Sequence, residues 1–158
     1  MHLYALTILL ASAAASTASQ SCDRLALVTG ASGRVGKKAV ALLLGEKVCV
    51  RVFSRNISAA VEKLGTGPRL DFVEGDLGDP AAVRAAFAYG DAAVTHVLFA
   101  AGGEEADFDA VNYRGVSYCA EEAALAGVET MVVISSGWVT RPSVMHCRAR
   151  RIAHRRHA

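Results

Sequence analysis

The chain has 158 residues, 53% of them hydrophobic and 20% charged, with a formal net charge of +2. That length holds about one domain, and the composition describes a packed core and excludes a disordered tail. The last 18 residues, from Arg141, carry six arginines and no acid, which leaves a mildly acidic body of 11 basic against 15 acidic side chains and excludes a nucleic-acid surface on that body.

Residues 1–21, MHLYALTILLASAAASTASQS, contain no acid, lysine or arginine, run apolar from Leu3 to Leu10, and pass into small residues with possible cleavage points near Ala15 or Ala18. This is the pattern of a cleaved secretory signal, and its apolar core is too short to span a bilayer. The mature chain is therefore expected to have no membrane span.

From Arg24 the chain alternates two kinds of segment. Leu25–Gly30 (LALVTG) reads as a strand, and VGKKAVALLLG as a helix with Val35, Ala39, Leu42 and Leu43 at helical spacing and Gly45 placed to end it. Lys47–Phe53 reads as a second strand, SAAVEKL as a short helix, and Arg69–Asp76 as a third strand. Asp79 before Pro80 makes a helix start, with the helix continuing to Gly90. Thr95–Gly102 gives a fourth strand, a long helix spans about Phe108 to Ala126, and Val128–Ser136 gives a fifth strand. The strands lack polar alternation, as in a parallel sheet covered on both faces. The expected fold is a doubly wound, Rossmann-like α/β domain over residues 24–140, with strand order 3-2-1-4-5.

Gly30, Gly33 and Gly36 fall between the first strand and the first helix. In that setting Gly30 permits a tight turn, Gly33 lets the backbone approach a diphosphate, and Gly36 lets helix and strand pack closely. Free N–H groups and partial positive charge at the helix N-terminus favour phosphates. A bare glycine turn explains any one of the three but accounts poorly for all of them. Ser32 and Val35 share the loop and the first turn and join the candidate site.

The spacing is G-x-x-G-x-x-G. Together TGASGRVG, VFSRN, EGDL, VLFAAG, VNYRGV and VVISSGWVTRP, in this order from Leu25 to about Pro142, resemble the atypical, NmrA-like members of the NAD(P)-binding short-chain dehydrogenase/reductase family. The resemblance implies a dinucleotide-binding oxidoreductase.

Charge at the end of the second strand bears on the cofactor. An NAD site wants a carboxylate there for the ribose 2′-hydroxyl, whereas this chain offers Phe53, Ser54 and Arg55. An arginine pairs with a 2′-phosphate, so NADP(H) is favoured over NAD(H), with a solvated loop charge as the plainer alternative for Arg55. The resemblance implies that Arg34 reaches the same phosphate, that Asp76 sits near the adenine amino group, and that Leu77 makes a backbone contact beside it. A turn capped by Asp76 is compatible with that role. Ala100, Ala101 and Gly102 end the fourth strand beside the expected crevice and leave room for a ligand. Arg51, in mid-strand, has no functional explanation from the sequence.

Typical short-chain enzymes pair a proton-transferring tyrosine with a lysine four residues on and use a serine at the fifth strand. Ser135 and Ser136 occupy that strand end, as catalytic candidates or as hydroxyls satisfying the backbone. No tyrosine follows Tyr118 and no lysine follows Lys63, so the Tyr-x-x-x-Lys pair is absent from its usual place. The Arg/His-rich tail, residues 141–158, stands where the family continues with another helix, strand and substrate-binding portion; it is expected to be irregular, as in a chain cut short. A contact arm for an anionic surface or a nucleic acid is the competing reading.

The four cysteines, at 22, 49, 119 and 147, lack metal-knuckle or dithiol spacing. Cys49 and Cys119 read as small buried hydrophobes, and no disulfide is expected. Three functional classes follow: an NADP(H)-dependent oxidoreductase, a dinucleotide-binding regulator without chemistry, and an inactive fragment. No metal is expected, and the implied partners are the cofactor and an unknown small-molecule substrate. The leader and a cofactor site together suggest an organelle lumen or a plastid reached through the secretory route; a leader that does not function would leave the chain cytoplasmic.

Overall fold

In a computed structural model of the chain, residues 22–89, 92–102 and 107–135 are described. The leader, the tail and Ser136 lie outside them. Strands β1 (Leu25–Thr29), β2 (Cys49–Ser54), β3 (Leu70–Glu74), β6 (His96–Phe99) and β7 (Thr130–Val133) form a five-stranded sheet in the order β3-β2-β1-β6-β7, every pair parallel. This is the expected 3-2-1-4-5 order, because the two intervening strands, β4 (Ala88–Tyr89) and β5 (Ala92–Ala93), pair only with each other. The sequence forms this sheet because β1 and β2 are apolar at nearly every position, and alternate side chains serve opposite faces. Val28, Val50 and Val52 pack with Val40 and Ala60 of helices α1 (Arg34–Gly45) and α2 (Ile57–Leu64). Leu25, Leu27, Cys49 and Phe53 join Val83 and Phe87 of α3 (Pro80–Phe87) and Cys119 and Ala123 of α4 (Val116–Leu125) on the other. The central strands are thus covered on both faces, while the edge strand β7 leaves Val132 and Val133 exposed, and the connections run the opposite way between β1 and β6.

Several boundaries differ from expectation for identifiable reasons. Helix α1 does end at Gly45, but the left-handed residue that turns the chain is Lys47, with φ of 60°. The Glu46 N–H donates to the Leu42 carbonyl and the Lys47 N–H to that of Leu44, so the reversal that follows the helix is made at Lys47 and not at the glycine. Helix α3 starts as expected, with the Asp79 carboxylate accepting from the Ala81 N–H and Pro80 in the first turn, but stops at Phe87 rather than Gly90. Phe87 is buried, Ala88 turns extended, and its carbonyl accepts a hydrogen bond from Arg51 Nη1. Arg51 also faces Asp71 on β3, with Nε and Oδ2 3.4 Å apart, so the unexplained mid-strand cation ties β2 to its neighbour and to the end of α3.

The long helix is two kinds of helix in succession. Asp109–Gly115 is π-helical and continues into α4. Val111, Gly115, Cys119 and Ala123 are all buried, a repeat of four that both kinds of turn accommodate, so periodicity could not tell them apart. Cys119 is a free buried thiol, as expected. The reading of Cys49 is corrected: it is disulfide-bonded to Cys22, with Cα atoms 5.8 Å apart. The Cys49 N–H donates to the Arg24 carbonyl, so parallel pairing itself brings the entry of β1 beside the entry of β2. A separation of 27 residues carried no hint of that proximity. No described helix is long and apolar enough to cross a membrane.

Candidate functional site

A cavity of about 360 Å³ opens at the carboxyl ends of the strands, where the sheet order reverses. It is walled by Gly30–Gly33 after β1, Phe53–Asn56 at the end of β2 and just beyond it, Gly75–Leu77 after β3, Ala100–Gly102 after β6, and by Ala59, Ala60 and Val111 from the flanking helices. The volume and the position at a topological switch point are those of a small-molecule site.

The three glycines do different work. Gly30 has φ of +64°, and a Cβ there would meet the Ala100 carbonyl group and the Ala101 Cα at 2.6 Å. Gly36, in the first turn of α1, is closer still: its Cβ would stand 2.2 Å from the Gly30 carbonyl oxygen and 2.7 Å from the Ala31 Cα. Both positions are fixed by packing of loop, helix and β6 against one another. Gly33 is not. Its backbone is extended, at φ −76° and ψ 172°, which any residue adopts, and its Cβ would meet only the Gly30 oxygen at 3.2 Å. The space beside Gly33 is cavity, so glycine there keeps the backbone open to a ligand.

The first intrahelical bond of α1 runs from the Lys37 N–H to the Gly33 carbonyl. By helix geometry the N–H groups of Arg34, Val35 and Gly36 have no intrahelical acceptor, and no acidic residue occupies the turn. This end of α1 suits a diphosphate. The side chains of Arg34 and Val35 are exposed, and neither these two residues nor Gly36 line the cavity; what they offer a ligand is backbone and dipole. Ser32 lines the wall with Gly30 and Gly33.

At the exit of β2 the Ser54 hydroxyl donates to the Asn56 carbonyl and accepts from the Asn56 N–H, while Asn56 Oδ1 accepts from the Ala59 N–H to cap α2. This tight turn sets Arg55 at the rim, where Nη1 lies 3.1 Å from Asp107 Oδ2. At the exit of β3 the Asp76 carboxylate accepts from the Gly78 N–H at 2.7 Å, so it is held in its own turn while lining the cavity. Leu77 beside it is buried against the core. The site therefore gathers Gly30, Ser32, Gly33, Ser54, Arg55, Asp76, Leu77, Ala100, Ala101 and Gly102. Ser135 is exposed and lies off this wall, two residues beyond β7. No group of three or more metal-ligating side chains occurs among the described residues.

Sequence reasoning missed Asn56, Gly75 and Val111. Asn56 carried a signal, since a cap residue ahead of an apolar run is legible. Gly75 did not: it is needed because the Phe53 ring passes over it, where a Cβ would come within 2.4 Å of Cε2.

A family model described as NAD(P)H-binding matches residues 30–154. No curated protein matches the chain. Among solved structures, a short-chain dehydrogenase/reductase superfamily protein from Agrobacterium tumefaciens with bound NAD is 34% identical, with a TM-score of 0.60, over 75% of this chain and 34% of its own. The Bordetella bronchiseptica enzyme WbmH, in complex with NAD+, is 25% identical with a TM-score of 0.64, over 73% and 40%. Uronate dehydrogenase from Agrobacterium tumefaciens is 25% identical with a TM-score of 0.57, over 72% and 41%. The chain thus spans well under half the length of these proteins. Its cavity, its glycine loop and these likenesses agree, and the chain belongs to the NAD(P)H-binding family, with the Rossmann-like fold of the short-chain dehydrogenase/reductase superfamily.

Proposed function

We propose that the chain binds NADP(H) as the cofactor-binding part of an oxidoreductase of the atypical short-chain type. The observation that carries the reading is Arg55 at the rim beyond β2, where the exit residues Phe53–Asn56 include no carboxylate. A carboxylate at that point would repel a 2′-phosphate, whereas a guanidinium donates charge-assisted hydrogen bonds to it. The bound cofactor supplies or accepts a hydride; the residues here orient its adenosine half. Because Arg55 is well exposed, solvent screening holds its contribution to about tenfold in affinity. Calorimetry with NADPH and NADH tests this: NADPH binds about tenfold more tightly, and Arg55→Ala abolishes the difference. Equal affinities, or a preference that survives Arg55→Ala, contradict it. NADPH oxidation with a panel of carbonyl compounds tests the chemistry.

The missing Tyr-x-x-x-Lys pair favours a second reading, a dinucleotide-responsive binding protein without turnover. Tight NADPH binding with no oxidation by any carbonyl selects it. We also propose entry into the secretory route, to an organelle lumen or a plastid. The apolar leader and the Cys22–Cys49 disulfide support this, since disulfides persist in oxidising compartments. A fluorescent fusion seen in the cytoplasm contradicts it.

A further inference from the structure

Arg55 is not idle in the structure. Its Nη1 sits 3.1 Å from Oδ2 of Asp107, which comes from the entry of the helix after β6. Asp107 itself does not line the cavity. Both side chains are substantially exposed, 64% for Arg55 and 46% for Asp107, so the pair is readily broken.

We propose that Asp107 is a specificity-determining residue that competes with the cofactor's 2′-phosphate for Arg55 and so moderates the preference for NADP(H). The proposal rests on the assignment of Arg55 to the 2′-phosphate. A phosphate on the same guanidinium carries a charge of about −1.5 to −2 and stands within a few ångströms of the Asp107 carboxylate. Sharing the guanidinium with Asp107 costs the phosphate part of its charge-assisted pairing, and that loss outweighs what Asp107 gains the site by holding Arg55 in place, because an exposed ion pair restrains its partners only weakly. NAD(H), with a hydroxyl in place of the phosphate, does not contest the pair. The carboxylate thus penalises one cofactor and spares the other.

The test is a cycle of Asp107→Asn, Arg55→Ala and the double variant, with calorimetric affinities for NADPH and NADH and with melting curves to confirm an unchanged fold. Asp107→Asn is expected to tighten NADPH binding about three- to tenfold and to leave NADH within about twofold. In the Arg55→Ala background it is expected to change neither. If Asp107→Asn weakens NADPH binding or leaves it unchanged while the wild-type preference still depends on Arg55, competition is overturned and the NADP(H) reading stands. Equal gains for both cofactors, or a gain that persists without Arg55, overturn it in favour of a general field effect. A wild type with no Arg55-dependent preference overturns both.

Discussion

Replacing Gly33 and Gly36 separately by alanine should split stability from binding. At Gly36 the new Cβ would sit 2.2 Å from a backbone oxygen and 2.7 Å from a backbone Cα. Relief to ordinary contact requires moving the start of α1 away from the β1 loop by roughly an ångström, and overpacking of that kind costs about 3 kcal/mol. For a domain of this size that is a fall of roughly 10 to 15 °C in melting temperature. At Gly33 the single contact, 3.2 Å to the Gly30 oxygen, needs only a few tenths of an ångström, and the backbone is already in a region alanine adopts without strain. Alanine also restricts the unfolded chain, so the two effects offset to within about 1 kcal/mol. Its methyl group, however, projects toward the space a diphosphate must enter, and NADPH affinity should drop at least about tenfold. Thermal melts and calorimetry on both variants check the pair. A Gly33→Ala protein as unstable as Gly36→Ala, or one that binds NADPH undiminished, refutes the division of labour among the glycines.

Reduction of the Cys22–Cys49 disulfide, or Cys22→Ser, should lower unfolding free energy by about 3 kcal/mol, given the 27-residue separation; an unchanged midpoint in denaturant under reducing conditions contradicts it. Burial pushes the Cys119 thiol from 9.0 up to about 12. Since the folded state resists ionisation, the stability contribution is whole below pH 9.0 and declines by about 1.4 kcal/mol per pH unit as pH rises toward 12. Denaturation of wild type and Cys119→Ala at about pH 8 and about pH 10 isolates that slope, and equal pH dependence in the two proteins contradicts it. Asp71→Asn should destabilise by about 1 to 2 kcal/mol, because the mostly buried Arg51 loses its carboxylate but keeps the Ala88 carbonyl; no loss in urea titration would show the pair to be incidental.

The sheet order, the strand identities and most of the cavity wall were legible because they depend on local pattern: apolar runs for buried parallel strands, a helical period between them, and glycines where the β1 exit meets α1 and the end of β6. What escaped the sequence depends on nonlocal contact. Lys47 takes the left-handed turn because β2 must begin beside Arg24, and nothing near Gly45 announces it. The disulfide follows from two strand entries lying side by side, and the early end of α3 accompanies the contact between the Ala88 carbonyl just beyond it and a guanidinium on β2. Asp107 meets Arg55 across 52 residues of sequence. That contact exists only because β6 lies next to β1.

We propose that the crevice at the strand ends grips the adenosine half of the cofactor. Amide chemical-shift mapping during titration with NADPH tests it most directly. The largest changes are expected at Gly30 to Gly36, Arg55, Asp76, Leu77 and Ala100 to Gly102, with little at the strand entries around Leu25 and Cys49. Saturating NADPH that leaves those amides unmoved, or that shifts the opposite end of the sheet instead, contradicts it.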